Sequence, residues 1–497
     1  MTKTELVFVP TSAMGHLLST IEFAKLIVQT NPNISILFLI YHFGVNEPTK
    51  INTYIESQSR EVDPNKITFI TLPPLSNLPD PSDPYYFATV IKLQNPLVKK
   101  AVQDRQSKPA AFILDLMNVF MIDIANELHI PSYIYFTAGA NFLHTMLHFQ
   151  EVADQQGIVD VTVLTDDPET ALDLPGFINP LPNKVLPWVF TDKDTIWPKR
   201  ILDLARKFRE AKGILVNSFT ELEANTIKVL QIQENVPTIY PVGPILSLEN
   251  RGDSKSSNNY NNDNSSLNIN DEKSIIDWLD GQPKASVVFL CFGSMGTFNA
   301  EQVKEIADGL DRSGQRFLWS LRKPIQVGTF GALPSEDMIF DEALPEGFMD
   351  RTAHRGKIIP WAPQVVVLAH QAIGGFVSHC GWNSILESIW FGVPLATWPM
   401  YSEQQLNAFT LVKELGLGVE IKIDYKWDMK KRKGNYLVKA EEVEDGVRKL
   451  MSMNEDMKRK VREMSELSRK VLQTDNGSSR ELLTRFIAEI NQDISLT

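Results

Sequence analysis

Residues 361–404 carry the side chains best suited to binding a phosphorylated ligand, in the run WAPQVVVLAHQAIGGFVSHCGWNSILESIWFGVPLATWPMYSEQ. The apolar stretch IGGFVSH predicts a buried strand, Gly381 permits a turn, and WNSILESIWFG predicts a helix that begins directly after it. The first N–H groups of such a helix, and the positive end of its dipole, point toward anything bound at the junction. This arrangement favours a phosphate.

The 361–404 segment contains neither lysine nor arginine. If it binds a diphosphate, the negative charge must be met by backbone amides, by His379 and by the side chains of Asn383 and Ser384. The segment therefore predicts recognition by fixed dipoles.

In length and nearly residue for residue, the segment resembles the signature box of the plant family 1 UDP-sugar glycosyltransferases. The resemblance implies that Trp361 stacks on uracil with Gln364 beside it, and that Glu387 accepts from the ribose hydroxyls. The residues implied for the two phosphates are His379, Asn383 and Ser384, and those implied for the sugar hydroxyls are Trp382, Glu403 and Gln404. A Gln at the last position of the box goes with glucose in this family, so UDP-glucose is the expected co-substrate. Taken one at a time, each tryptophan could be an ordinary core residue, and Glu387 could lie on a solvated helix face. A generic core, however, does not need the string HCGWNS.

Two titratable residues of the N-terminal half follow predicted strands. In PTSAMGHLLSTIEFAKL, His16 lies where a strand ends and a helix starts, and its imidazole could take a proton from an acceptor hydroxyl. Asp115 ends the apolar run AAFILD, and a carboxylate bonded to the far ring nitrogen would fix the tautomer of His16. A helix-capping or merely exposed His16 is the alternative. The resemblance implies a catalytic His–Asp dyad in these two contexts. Asp123 is an alternative carboxylate for the dyad, but we prefer Asp115 for its strand-end position.

Four further positions complete the comparison with the family. Thr137 in YFTAGA matches the position that touches the donor sugar, and Ser294 of CFGSMG lies in a loop between strand and helix that can approach phosphate. Relatives usually carry Pro-Gly-x-Gly-His before the first helix, whereas Ala13 and Met14 stand in part of that run here. If the family's glycine has a positive φ, Ala13 must adopt a different turn.

The resemblance implies an inverting mechanism. His16 deprotonates the acceptor, the acceptor oxygen attacks C1 of the sugar, UDP leaves, and an α-linked donor gives a β-glycoside. Neither a cofactor nor a metal is expected, because the helix near Trp382 and the imidazole of His379 would stabilise the departing diphosphate. Apolar and aromatic segments at 117–120, 142–148 and 186–190 favour a small lipophilic acceptor, although core packing explains them equally well. The wider run resembles the subgroup that acts on flavonoids, other phenolics and triterpenoids.

Alternating apolar runs and helical patterns over 497 residues predict an α/β protein with two doubly wound, Rossmann-like domains. We place an acceptor-binding domain at 1–243 and a donor-binding domain at 244–479, with a mobile Asn- and Ser-rich loop at 247–274. The resemblance implies the GT-B fold, in which the two domains face each other across a cleft, and a terminal helix, 480–497, that packs back on the first domain.

The composition excludes several classes of function. A net charge of -12 argues against nucleic acid and against an anionic membrane surface. Two cysteines, a short apolar N-terminal run and no apolar stretch of about eighteen residues predict a cytoplasmic protein without disulfides, zinc or a membrane span. A monomer is expected. We interpret the RGD triplet as coincidence and the basic cluster at 430–433 as a solvated loop.

Three rival interpretations remain. A metal-dependent glycosyltransferase would need an Asp-x-Asp, which Asp192, Lys193 and Asp194 supply, although in a polar loop of the acceptor half. A nicotinamide-dependent oxidoreductase would need the G-x-G-x-x-G fingerprint with its acidic ribose ligand, which is missing here. A UDP-sugar-binding protein without transfer activity would not need His16 and Asp115.

Overall fold

The computed structural model describes residues 4–43, 48–80, 83, 85–248, 269–322, 343–428, 433–474 and 476–496. These residues form two compact units. The first unit takes the chain up to Asn183, Val189–Ser247 and the part from Arg469 onward. The second takes Lys184–Trp188 and the described residues between Leu248 and Ser468. Within the described part of the chain, no helix combines the length and apolar character needed to cross a bilayer.

Among the described residues, the first unit is built on a seven-stranded sheet whose neighbouring strands are all parallel. Its strands, with one separate antiparallel pair, β6 and β7, are β1 Thr4–Val9, β2 Ile34–Ile40, β3 Ile67–Thr71, β4 Ala111–Asp115, β5 Ser132–Phe136, β6 Ala171–Leu172, β7 Leu181–Pro182, β8 Gly213–Val216 and β9 Thr238–Pro241. The order across the sheet is β3-β2-β1-β4-β5-β8-β9. Every residue of β4 and β5 is buried, because helices cover both faces of a parallel sheet.

The helices between the first residue and Ser247 are α1 Met14–Thr30, α2 Pro48–Glu61, α3 Tyr86–Gln103, α4 Ile122–Glu127, α5 Ala140–Gln156, α6 Trp188–Thr191, α7 Trp197–Phe208 and α8 Ala224–Ile232. Short 3-10 turns lie at Leu116–Met121, Val161–Leu164 and Asn183–Val185. The pattern of α5 is hard to recognise in the sequence because its buried residues cover most of its circumference. Strand β9 is likewise not predicted from the sequence.

In the second unit, the strands and helices are β10 Val287–Cys291, β11 Arg316–Ser320, β12 Gly356–Ile359, β13 Ile373–Ser378, β14 Leu395–Thr397, β15 Gly418–Glu420, β16 Trp427–Asp428, β17 Lys433–Gly434, α9 Ile269–Asp280, α10 Ala300–Ser313, α11 Phe348–Thr352, α12 Gln364–Ala369, α13 Trp382–Phe391, α14 Gln404–Phe409, α15 Ala440–Met451 and α16 Glu455–Gln473. The last residues of α16, from Arg469 onward, belong to the first unit. A π-helical turn, Thr410–Glu414, follows α14. The described residues form a six-stranded parallel sheet of order β12-β11-β10-β13-β14-β15, and a small antiparallel pair of β16 and β17. This is the strand order of a dinucleotide-binding fold. The predicted doubly wound architecture is thus confirmed for both units.

The strand orders fix where each unit can bind a ligand. The chain leaves β1 and β4 toward opposite edges of the first sheet, and it leaves β10 and β13 in the same way in the second. Loops that follow these strand pairs diverge and leave a crevice at the carboxyl ends of the strands. The first unit therefore has a crevice between β1 and β4, and the second has one between β10 and β13.

The loop predicted at 247–274 ends earlier than expected. Helix α9 begins at Ile269, and its buried residues Ile275 and Leu279 have helical spacing. The polar first turn of this helix looks like loop in composition, which explains the wrong boundary. Residues 249–268 lie outside the described residues, as do 430–432 of the basic cluster; Lys433 begins β17.

The last helix, α17 Ser478–Leu496, belongs to the first unit. Its residues Phe486 and Ile490 are buried in the same hydrophobic core as Tyr133 and Tyr240 of the sheet. The Tyr133 hydroxyl also donates to Glu489, at 3.3 Å. The helix is therefore part of that core.

Candidate active site

His16 and Asp115 lie in hydrogen-bond contact in the first unit. His16 is in the first turn of α1, directly after β1, and Asp115 is the last residue of the neighbouring strand β4. The His16 Nδ1 atom is 2.8 Å from Asp115 Oδ2. The Asp115 side chain is fully buried, whereas 31% of the His16 side chain is exposed. The pair thus presents an imidazole to solvent with a buried carboxylate behind it.

The Asp115 carboxylate is held at its other oxygen as well. Thr11 Oγ1 donates to Asp115 Oδ1 at 2.6 Å, and the Met117 N–H donates to the same oxygen at 2.9 Å. With both oxygens occupied, the carboxylate cannot rotate without breaking hydrogen bonds. Sequence reasoning did not identify Thr11; its one signal was a hydroxyl residue between the end of β1 and the start of α1.

Thr137 also reaches this group, because it follows β5, the neighbour of β4. Its Oγ1 atom is 3.2 Å from His16 Nδ1. The competing carboxylate, Asp123, instead forms a 2.7 Å ion pair with Lys207 and is largely exposed. Ala13 has an extended backbone, with φ −126° and ψ 133°, so this loop needs no glycine there.

In the second unit, the turn between β13 and α13 is built around His379. The residue with a left-handed backbone is Cys380, with φ 63°, whereas Gly381 has φ −61°. The sequence interpretation of Gly381 as the turn-forming residue was therefore wrong. Gly381 is needed for space, because a Cβ atom there would lie 2.6 Å from His379 Nε2, and one at Gly293 would lie 2.5 Å from the same atom.

His379 is buried and neutral. Burial, and then the positive charge of Arg322, lower its pKa to about 4. Its Nδ1 atom is buried and has no hydrogen-bond partner among the described residues. At neutral pH this imidazole can therefore donate or accept a hydrogen bond with a ligand, but it supplies no positive charge.

Gln364 and Glu387, expected at the uridine end of the donor, form one hydrogen-bonded group with Ser384, which is expected at the phosphates. The Gln364 amide donates to Glu387 Oε2 at 2.6 Å and to Ser384 Oγ at 2.9 Å. Helices α12 and α13 bring these residues together. Trp361, which precedes α12, is half-buried.

The residues expected at the sugar end are joined to the His379 turn by Asn407, a second residue that sequence reasoning missed. The Asn407 amide donates to the Cys380 carbonyl at 3.0 Å and to Glu403 Oε1 at 3.4 Å. The Gln404 carbonyl accepts from the N–H groups of Met400 and Tyr401, at 2.9 and 3.0 Å. These bonds leave the Gln404 amide nitrogen as the end able to donate to a ligand.

The remaining expected donor residues differ in exposure. The Trp382 side chain is buried, Asn383 is half-buried beside it in the first turn of α13, and Ser294 is exposed in the turn after β10. Trp382 is also the first residue of α13, so its main chain lies at the start of this helix.

The segments considered for the acceptor divide into core and surface. Phe190 is fully buried and packs on Phe142 and Phe149, at centroid distances of 6.2 and 5.0 Å. Met117 is half-buried, as is Phe120, whose ring lies under the Arg200 guanidinium at 5.1 Å. Core packing therefore accounts for Phe190.

The Asp192-Lys193-Asp194 triplet forms a turn between α6 and α7. The Asp192 carboxylate accepts from the Asp194 N–H at 2.9 Å, and Lys193 forms an ion pair with Asp166. The Asp192 side chain is thus used to shape the loop.

Two Rossmann-type units, each with polar residues where the strand order reverses, are the architecture of the GT-B glycosyltransferases. Solved structures share it: a glycosyltransferase from Siraitia grosvenorii in complex with UDP is 41% identical with a TM-score of 0.84, covering 98% of this chain and 100% of that one. UGT71G1 of Medicago truncatula, complexed with UDP-glucose, is 39% identical with a TM-score of 0.83, covering 98% of each chain.

Sequence comparison gives the same family. Residues 266–431 match the family model described as UDP-glucoronosyl and UDP-glucosyl transferase. A putative UDP-glucose flavonoid 3-O-glucosyltransferase 3 of Fragaria ananassa is 45% identical over 98% of this chain and 99% of its own length. UDP-glycosyltransferase 71A15 of Malus domestica is 43% identical over 98% and 99%. This chain belongs to the UDP-glycosyltransferase family.

Proposed function

We propose that this protein transfers glucose from UDP-glucose to a hydroxyl group of a small lipophilic plant metabolite, with inversion at C1 to give a β-glycoside. The observation that carries the proposal is the 2.8 Å contact between His16 and the buried Asp115. A buried carboxylate that accepts the Nδ1 proton of an imidazole leaves Nε2 as the basic nitrogen. A protein that only binds UDP-sugars has no need of this pair.

In the proposed reaction, Nε2 of His16 removes the proton of the acceptor hydroxyl while its oxygen attacks C1 of glucose. Asp115 holds the ring and stabilises the imidazolium that forms. The bond from C1 to the diphosphate oxygen breaks, and UDP leaves with the bonding electrons. Thr137, beside His16, is proposed to contact the donor sugar.

For the donor, we propose that Trp361 stacks on uracil and that Glu387, oriented by Gln364, binds the ribose hydroxyls. The proposed phosphate ligands are His379, as a neutral hydrogen-bonding group, Asn383, Ser384 and Ser294. The proposed sugar ligands are the main chain of Trp382, Glu403 as acceptor and the amide of Gln404 as donor. A neutral His379 makes the fixed dipoles at the start of α13 more important for the leaving group.

The acceptor class rests on relatives. The Fragaria ananassa relative is named for a flavonoid, and a Phytolacca americana UGT2 structure that is 32% identical contains pterostilbene, with a TM-score of 0.78. From these names we infer a flavonoid or other phenolic aglycone, and we keep a triterpenoid as the alternative. We also propose a metal-independent cytoplasmic monomer; the buried free thiols Cys291 and Cys380 fit a reducing compartment.

The test is incubation of the pure protein with UDP-glucose and a panel of flavonoid, stilbene and triterpenoid aglycones. We expect UDP release to match glucoside formation, with β-configuration by NMR. UDP-glucose binding without product from any aglycone would favour the binding protein. An α-glucoside would overturn the proposed mechanism.

A further inference from the structure

Arg322 is bonded to the turn that connects β10 with α10. Its Nη1 donates to the Ser294 carbonyl at 2.7 Å, and its Nη2 donates to the carbonyls of Gly293 and, at 3.4 Å, Gly296. We call residues 293–296 the 293–296 turn. Arg322 follows β11, which pairs with β10 in parallel, so the guanidinium lies at the carboxyl edge of the second unit's sheet.

These bonds determine which way the peptide groups of the turn face. In a trans peptide the carbonyl and the following N–H point in opposite directions. Because the carbonyls of Gly293 and Ser294 point to the guanidinium, the N–H groups of Ser294 and Met295 point away from it. The positive φ of Gly293, 71°, belongs to the type of backbone that gathers successive N–H groups into an anion-binding concavity.

The charge of Arg322 also acts on His379, another of the proposed phosphate ligands. It is one of the two causes that keep His379 neutral, and the His379 ring lies so close to Gly293 that a Cβ atom there would be 2.5 Å from Nε2. Arg322, the 293–296 turn and His379 are therefore contiguous. The 361–404 segment itself contains no lysine or arginine.

We propose that Arg322 positions the 293–296 turn to bind the diphosphate and supplies the positive charge that the 361–404 segment lacks. This inference rests on the proposed donor site. The planar guanidinium suits the role because its fork donates to several carbonyls at once. A lysine would keep the charge but would hold fewer of the carbonyls.

The test compares Arg322→Met and Arg322→Lys for binding of UDP, UMP and uridine by calorimetry, with the thermal midpoint as a check of folding. We expect Arg322→Met to weaken UDP about 10- to 100-fold, the size of a lost charged interaction, and uridine by less than about threefold. Arg322→Lys should lie between the wild type and Arg322→Met for UDP. Arg448→Met is the matched control, because Arg448 also donates to a carbonyl, that of Arg312, at 2.7 Å in the same unit.

The proposal is overturned if Arg322→Met binds UDP like the wild type, or if it weakens UDP and uridine equally. If Arg322→Met does not fold, Arg322→Lys decides: it must weaken UDP more than uridine. A wild-type protein that binds no UDP would refute the proposed function instead, and this separates the two failures.

Discussion

Thr11 Oγ1 lies 2.6 Å from Asp115 Oδ1, the carboxylate oxygen that His16 does not contact. The two oxygens of Asp115 thus have separate tasks: one receives the imidazole, and the other is held by a hydroxyl and a backbone N–H. The arrangement follows from the pairing of β1 with β4, since Thr11 comes two residues after the end of β1. Orientation of the imidazole therefore depends on residues at the carboxyl ends of both strands.

Thr11→Val removes this hydroxyl without changing the size of the side chain. We expect kcat to fall about tenfold, because a buried hydrogen bond to a charged group is worth about 1.5 kcal/mol. Thr11→Ser should keep most of the activity, and UDP affinity should not change in either variant. Steady-state kinetics and calorimetry measure both. A Thr11→Val enzyme with wild-type kcat would show that the hydroxyl does not align Asp115.

His16→Ala should lower transfer by about 100- to 10,000-fold, the usual contribution of a general base, while UDP binding stays nearly intact. The proposed UDP ligands are in the other unit, so the two effects separate. Asp115→Asn should give a comparable loss, because an amide can stabilise the wrong tautomer of His16. Equal loss of transfer and UDP binding in His16→Ala would mean that His16 is a structural residue.

Gly293→Ala should abolish UDP binding, since the new Cβ atom would have to displace His379 from a 2.5 Å contact. Gly314→Ala is the matched control: Gly314 has nearly the same φ, 68° against 71°, but open space around its Cα. Both variants should lose about 1 kcal/mol of stability from the backbone, and only Gly293→Ala should lose UDP. Equal UDP affinities by calorimetry would refute the importance of His379 packing.

Stability should fall as the pH falls from about 6.5 to about 4. Burial lowers the pKa of both His144 and His379 to about 4, so each histidine is neutral in the folded protein but takes up a proton on unfolding below its ordinary pKa of 6.5. Each group then reduces the free energy of unfolding by about 1.4 kcal/mol per pH unit within this window, and has no effect above it.

Thermal midpoints at pH 7.5, 6.5, 5.5 and 4.5 measure this effect. His144→Leu should flatten the dependence, whereas a change at the exposed His354, to Gln, should leave it as in the wild type. A profile for His144→Leu that parallels the wild type would argue against a neutral His144.

Transfer should continue in excess chelator, because the leaving diphosphate is proposed to be stabilised by the start of α13 and by Arg322. The assay is UDP release with EDTA present and with Mg²⁺ or Mn²⁺ added back. Loss of activity that a divalent cation restores would support a metal-dependent enzyme and direct attention to Asp192 and Asp194.

The residues that sequence reasoning could place are those at strand ends. Asp115 is the last residue of one strand, and His16 and Thr137 come after two others. The three strands are adjacent in a parallel sheet, so the proximity of these residues is a property of the strand order. The helix that begins at Trp382 is confirmed at the predicted position. Its turn was misassigned to Gly381, because a glycine that makes room for a neighbour and a glycine with a left-handed backbone look the same in a sequence.

Arg322, Thr11 and Asn407 were missed for a different reason. Each acts on a backbone carbonyl or a carboxylate far away in the chain: Arg322 on the 293–296 turn, Asn407 on Cys380, and Thr11 on Asp115. No spacing rule links such residues, because tertiary packing alone brings them together. Helix α5 was missed because it has no polar face to mark its period.

The burial of Phe486 and Ile490 in the first unit has a consequence for biosynthesis. The ribosome makes the sheet that receives them more than two hundred residues earlier than α17, since β9 ends at Pro241 and the helix begins at Ser478. Until translation is nearly finished, Tyr133 and Tyr240 lack the helix that packs against them. A nascent or truncated chain that stops before α17 should therefore recruit chaperones or aggregate, even though its amino-terminal half is fully synthesised.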